Sequence, residues 1–186
     1  MRARLALAVS EQPFVLHAVD LKNRPPQLYV VSPKGTVPVL VLDDGTVLDE
    51  SIDIMRWTLT NHDPQDWLRN ATEQEQEIQA LITQCDRSFK FHLDRYKYAT
   101  RYEGAVAEEH RQLAAEILME WDQRLKGHAF LCDDRACMAD IALGPFVRQF
   151  AFADRPWFDK QPWPHLRAWL EAFTASALFA LIMKKP

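Results

Sequence analysis

Hydrophobic and polar positions follow two different rhythms along this chain, and the change between them divides it near residue 62. In the first part the apolar runs are short and broken by Gly, Pro and Asp. Residues 2–10, built on Ala and Leu, predict a helix, because both residues give up little on entering one. Phe14-Val15-Leu16-His17-Ala18-Val19 is rich in β-branched and aromatic residues and predicts a strand. Lys22-Asn23-Arg24-Pro25-Pro26 predicts a turn, since consecutive prolines halt helix and strand alike, and Gln27–Val31 a short helical turn. Val37–Val41 predicts a second strand, Asp44-Gly45 a two-residue hairpin turn, and Thr46–Leu48 the strand that pairs back. A helix follows from Ser51 to about Thr60, and Asn61–Asp66 reads as connecting chain.

Beyond it every apolar pattern has the helical period. Thr72-Glu73-Gln74-Glu75 has the form of a capping box. Ile78, Leu81, Ile82, Cys85, Phe89, Leu93 and Tyr96 then recur at three and four residues, one apolar face of a long helix. A second helix is predicted from Gly104 to Lys126 with Val106, Leu113, Ile117, Trp121 and Leu125 inward. A third, Ala136–Phe152, is nearly all apolar and therefore central. Two shorter ones cover Pro164–Phe173 and Ser176–Met183. Trp157, Trp163 and Trp169 are placed to clamp these last helices together.

Composition narrows the function classes. The 22 basic and 26 acidic side chains leave a net charge of −4 with no basic cluster, which argues against a nucleic-acid partner. The three cysteines, Cys85, Cys132 and Cys137, lack the spacing of a disulfide framework or a zinc site and point to a reducing, cytoplasmic setting. No apolar run approaches the ~18 residues of a membrane span. The first residues have only Leu5–Val9 as an apolar core, short of the roughly 7–15 residues of a leader peptide. Histidines 17, 62, 92, 110, 128 and 165 are scattered without the spacing of a metal helix, so no metal is expected.

The most informative stretch runs from Ser32 to Ser51. A loop leads into Val37-Pro38 and a short apolar strand; an Asp-Gly turn and a return strand follow; then Glu50-Ser51 opens a helix. Pro38 cannot donate to a ladder, so it belongs at an edge, a strand start or a cis turn. Ser51 stands where a helix N-terminus offers free N–H groups and the positive end of its dipole to a carboxylate. This order of parts resembles the glutathione-binding half of the glutathione transferase superfamily. There a cis-proline after a valine presents backbone groups to the cysteinyl part of glutathione, and a Glu/Asp-Ser pair at the next helix start holds the γ-glutamyl end. The resemblance implies glutathione-binding roles for Val37, Pro38, Glu50 and Ser51. It extends along the chain: a mixed α/β half followed by an all-helical half is this family's order. The box that caps the central helix, usually Ser or Thr followed three residues later by Asp, is matched by Asp140, with Cys137 in the capping place. A thiol is a weaker acceptor than a hydroxyl, so the expectation is a cap weakened by roughly 1 kcal/mol unless Asp133 or Asp134 takes over.

The resemblance thus implies an α/β plus all-α fold. A thioredoxin-like domain lacking its first strand covers residues 1–62, a linker 63–71 and an all-helical domain 72–186. In this family a first strand precedes the first helix, and their junction carries the catalytic Tyr, Ser or Cys. Here helix-forming sequence starts at residue 2, and Met1-Arg2-Ala3-Arg4 resembles the part just after the Cys-Pro-x-x motif of cysteine-type and glutaredoxin-like members. That strand would lie between the strands expected at 14–19 and 37–42. Without it, buried ladder groups stay unpaired at roughly 1–3 kcal/mol each. The expectation is therefore that no catalytic residue lies in this chain and that it stands upstream of Met1. The alternative is a non-catalytic relative that keeps the fold as an interaction or ligand-binding protein.

Glutathione as co-substrate, a small electrophilic or disulfide second substrate, and a possible homodimer follow from the same likeness. The chemistry would be conjugation, or thiol–disulfide exchange if the missing residue is cysteine. Two other groups stay open. Phe89–Tyr98, dense in aromatics and charges, forms either a cleft wall, with Phe89, His92 or Tyr96 against a co-substrate and Lys90 or Arg95 near carboxylates, or a helix end whose rings pack inward. Cys132 and Cys137 are either a redox pair or a buried structural set.

Overall fold

The computed structural model describes residues 1–70 and 72–184, without the Thr72 side chain, so the capping box expected at Thr72 and Glu75 lies outside the described residues. Two compact units emerge. The first comprises Met1–Leu68 and the C-terminal segment from Ala177; the second is Arg69–Ser176.

In the first unit α1 (Arg2–Val9) packs on α3 (Ser51–Asn61) and on α10 (Ala177–Met183), although α10 comes from the far end of the chain. Leu5, Ala6 and Leu7 of α1, Ile54, Met55 and Leu59 of α3, and Phe179 and Ile182 of α10 supply the buried faces. Each fully buried Leu or Ile contributes about 1.5–3 kcal/mol. His62 Nδ1, just past α3, lies 2.8 Å from the Ser10 carbonyl oxygen, just past α1. A carbonyl only accepts, so Nδ1 carries the proton. The connecting residues are ordered by Asp63, whose two carboxylate oxygens accept from Trp67 N (2.9 Å) and Leu68 N (2.8 Å).

Residues 14–19 are not a strand. Phe14, Val15 and Leu16 are exposed, Val15 by 81%. Strand propensity yields a strand only where a neighbour supplies ladder hydrogen bonds, and among the described residues the one ladder joins β1 (Leu40–Val41) to β2 (Val47–Leu48). The short helix α2 (Pro26–Val31) starts on Pro26, where the missing N–H is no loss. The hairpin loop is one residue longer than the Asp44-Gly45 turn predicted. Leu42 N bonds Thr46 O at 2.9 Å and Gly45 N bonds Leu42 O at 2.9 Å, which leaves Asp43, Asp44 and Gly45 as the loop. Gly45, at φ +85°, takes the left-handed step that closes a turn of this kind.

The second unit is helical. The long predicted helix runs as α4 (Thr72–Gln84), a π-helical turn (Cys85–Phe89) and α5 (Lys90–Lys97), with Ile78, Leu81, Ile82, Cys85, Phe89 and Leu93 buried. A short 3₁₀ turn follows, and α6 (Ala107–Arg124) starts later than the Gly104 expected. Val106 (45%) and Leu113 (42%) are exposed rather than inward, because the inward stripe of α6 is Ala114, Leu118 and Trp121, continued by Leu125. The central helix α7 (Met138–Ala151) is almost wholly buried. The turn-length α8 (Arg155–Asp159) went unpredicted; Asp154 caps it by accepting from Trp157 N at 3.1 Å. In α9 (Pro164–Ala175), Trp163 Nε1 at the entry bonds Phe158 O at 3.0 Å, and Trp169 reaches α7.

The start of α7 is fixed by Asp140. Its buried carboxylate accepts from Cys137 N (2.9 Å), Leu131 N (3.0 Å), Trp169 Nε1 (2.8 Å) and the Cys137 thiol (3.2 Å). The Cys137 side chain accepts the N3 backbone N–H in return, so the capping box forms with a thiol in place of a hydroxyl. Asp133 and Asp134 do not replace it; they accept from Arg135 N and Ala129 N within the preceding loop.

Asp140→Ala is expected to destabilise the second unit by about 3–5 kcal/mol, since three buried N–H donors lose their acceptor together. Urea unfolding measures it, and a loss under about 1 kcal/mol would show that water or a neighbour replaces the carboxylate. In the first unit, Gly35 sits at φ +62° and a Cβ there would lie 2.5 Å from the Tyr29 ring. Gly35→Ala should cost about 1–2 kcal/mol on the backbone conformation alone. The same change made together with Tyr29→Ala keeps that cost, which thermal denaturation can read.

Candidate functional site

Val37 and Pro38 stand just ahead of β1, and Glu50 and Ser51 stand just after β2 at the start of α3. The register pairs Leu40 with Leu48 and Val41 with Val47. Because the two strands run antiparallel, the entry to β1 and the exit from β2 lie at the same end of the hairpin. The Val37–Pro38 peptide is cis. Val37 is exposed and Pro38 half-buried, so the backbone ahead of β1 is open on one side.

Ser51 is the first residue of α3 and Glu50 its N-cap. The Glu50 carbonyl accepts from Ile54 N at 3.1 Å, the first bond of the helix, but the Glu50 side chain makes no capping bond. The first-turn N–H groups of α3 therefore remain available to an anion. Ser51 is half-buried, and Glu50 is exposed.

Lys34, in the loop before Val37, bonds Asp49 Oδ2 at 3.1 Å and Glu50 Oε1 at 3.3 Å. The hydrogen bonds to Asp49 and Glu50 raise its pKa above the ordinary lysine value. Sequence reasoning missed this residue. The available signal was a lone cation in the loop facing the acidic pair Asp49-Glu50 across the hairpin. The site thus combines a cationic side chain, an exposed carboxylate, a hydroxyl and a helix N-terminus, a set suited to a small zwitterion with an extended backbone.

The family model for the glutathione S-transferase N-terminal domain matches residues 1–60, and that for the glutathione S-transferase C-terminal domain matches residues 104–172. The chain belongs to the glutathione S-transferase superfamily. The glutathione S-transferase GstA of Escherichia coli O157:H7 is 38% identical over 61 residues, a match spanning 31% of this chain and 30% of that protein. Poplar glutathione transferase F1 superposes with a TM-score of 0.82 at 16% identity, over 98% of this chain and 90% of that one. A glutathione S-transferase from Rhodospirillum rubrum F11 gives 0.80 at 21% identity, over 100% and 87%. At these identities the structural likeness is one of fold, a thioredoxin-like first part and a helical second.

The Phe89–Tyr98 stretch of this transferase-family chain packs within its own unit. Phe89 is fully buried against Trp121 and Phe150, with ring centroids 5.0 and 5.7 Å apart. Lys90 is tied to Asp94 at 2.6 Å, and the Arg95 guanidinium lies 3.5 Å from the Phe91 ring centre. Tyr96 packs on Phe150, beneath the Arg111 guanidinium. His92 and His110, which looked unrelated in sequence, meet across α5 and α6 with their Nδ1 atoms 2.8 Å apart. One of the two nitrogens must carry a proton and the other must not. Among the described residues no group of three His, Cys, Asp or Glu side chains is arranged to hold a metal.

Burial, with His110 and Arg95 behind it, lowers the His92 pKa below its ordinary 6.5, against a smaller opposing pull from Glu116. The folded state therefore binds fewer protons than the unfolded chain between the lowered value and 6.5. The contribution of this contact is complete above that range and is lost as pH falls through it. His92→Gln should flatten the pH dependence of the melting temperature below pH 6.5, measured by calorimetric melts across that range. An unchanged slope would place the titration elsewhere.

Proposed function

We propose that this protein binds glutathione at the Val37-Pro38 and Glu50-Ser51 end of its hairpin and presents it for conjugation or thiol–disulfide chemistry. The observation that carries this reading is Lys34, which reaches from the loop before Val37–Pro38 to Asp49 and Glu50 at the start of α3, a helix whose N-terminus has no side-chain cap. The Val37 backbone, at the bend ahead of β1, hydrogen-bonds the cysteinyl part of the tripeptide. Pro38 has no N–H to offer there, so only Val37 fixes the register. The Ser51 hydroxyl and the first-turn N–H groups hold the γ-glutamyl carboxylate, and Glu50 takes its ammonium group. Lys34 already occupies Glu50, so glutathione binding exchanges one cation partner for another.

None of these four residues acts on the sulfur. A cysteine acting on the bound tripeptide would form a mixed disulfide with it, and a serine or tyrosine would hold its thiolate for attack on an electrophile. A reducing cytoplasm suits three cysteines that are not joined in disulfides. A second copy of the chain is the proposed assembly partner, as members of the family commonly pair. No single helix among the described residues is long and apolar enough to cross a membrane.

Ser51→Ala is expected to weaken glutathione binding about 10–100-fold, the loss of one hydrogen bond to a charged group, with the melting temperature unchanged. Titration calorimetry on both proteins measures it. Equal affinities would remove Ser51 from the site. Tight binding without turnover of electrophiles or mixed disulfides would favour the ligand-binding alternative.

A further inference from the structure

Cys132 and Cys137 take no part in the glutathione site, yet the fold brings them together. The Cys137 Sγ lies 3.5 Å from the Cys132 Sγ and 3.2 Å from Asp140 Oδ2, and both thiols are free. Cys137 is fully buried at the start of α7, whereas Cys132 is half-exposed in the loop that precedes it. A disulfide needs its sulfurs at about 2.05 Å, so the pair is one short side-chain movement from bonding. That movement falls on the irregular loop 128–136, since Cys137 is held by the capping box. The loop is itself tethered by the Arg69 guanidinium, which bonds Ala136 O at 3.0 Å and lies 3.6 Å from Asp133.

We propose that Cys132 and Cys137 form a reversible disulfide within one chain when the protein meets a hydroperoxide, with Cys132 the attacking thiol and Asp140 the acceptor of the Cys137 proton. The two sulfurs have distinct tasks. The Cys132 sulfur, burial and the Asp140 charge all push the Cys137 thiol above its ordinary range, so it stays protonated and does not attack first. Cys132 reaches solvent. Its thiolate attacks the terminal peroxide oxygen, the O–O bond breaks, and a sulfenic acid forms as the alcohol or water departs. The Cys137 sulfur then attacks the Cys132 sulfur. The S–O bond breaks, the leaving hydroxide takes the proton that Cys137 gave up to Asp140, and water leaves. Two thiols and one hydroperoxide become one disulfide, one alcohol and one water; a dithiol reductant reverses the step.

Oxidation reaches the cap of the central helix. In the reduced form the Cys137 thiol donates to the carboxylate that anchors α7, and the disulfide has no such proton to give. Serine or threonine, the residues the family usually carries here, could cap the helix but could not respond in this way.

The test treats the reduced full chain with hydrogen peroxide and then alkylates the remaining thiols in denaturant. Intact mass is expected to fall by about two units, the two hydrogens lost. Only Cys85 should still take label, where the reduced protein labels all three cysteines. Dithiothreitol restores full labelling. Peptide mapping of the wild-type protein locates the bond without any variant, and Cys132→Ser should leave Cys137 labelled after the same peroxide dose. Three labelled cysteines after oxidation, irreversible oxygen addition at Cys132 with Cys137 still free, or a link to Cys85 or to a second chain would each overturn the proposal.

Discussion

The second unit depends on one buried carboxylate. Asp140 gathers two backbone N–H groups, an indole N–H and a thiol, from the loop before α7, from the start of α7 and from α9. Burial raises its pKa, and these donors pull the other way. An apolar residue of similar size would fill the space but would strand the donors. The interaction therefore fixes direction as much as energy: it sets where α7 begins, holds Leu131 against it and brings Trp169 across. The aromatic cluster of Phe89, Trp121, Phe150, Phe158 and Trp163 packs around the helix so placed.

The first unit solves a different problem with less material. Its sheet has two short strands, and its core is made by helices α1, α3 and α10. The hairpin buries little. Its contribution is positional, because a fixed register joins a loop containing a cis peptide to the start of a helix. The loop and the helix start belong to different stretches of sequence, and Lys34 crosses between them.

How much of this was legible follows from the range of each interaction. The helices could be read because their apolar spacing is local: Ile78 to Leu93 lie on one buried face as the period required. Val106 and Leu113 misled because a helix has several plausible stripes, and the choice of Ala114, Leu118 and Trp121 is made by packing partners elsewhere in the chain. Phe14–Val19 misled for a similar reason, since strand propensity says nothing about whether a neighbour exists. The hairpin was visible, but its loop length was not, because Asp43-Asp44-Gly45 and Asp44-Gly45 differ only in which residue the ladder claims. Four candidate site residues came from a motif whose spacing is local. Lys34 and the His92–His110 contact are encounters between distant segments, and no local pattern announces them.

The π-helical turn at Cys85–Phe89 bears on how this chain can change in length. Such a turn holds one residue more than the α-helical path needs, and each residue of an α-helix turns the chain by about 100°. Removing a residue between Cys85 and Phe89 would not break the helix; it would make it regular. The same deletion would leave His92 and Leu93 on the faces they hold now, because the wide turn completes its circle with the extra residue included. A one-residue change in length is thus absorbed at this turn, whereas the same loss from the regular stretches of α4 or α5 would turn one part of the helix against the other by about 100°.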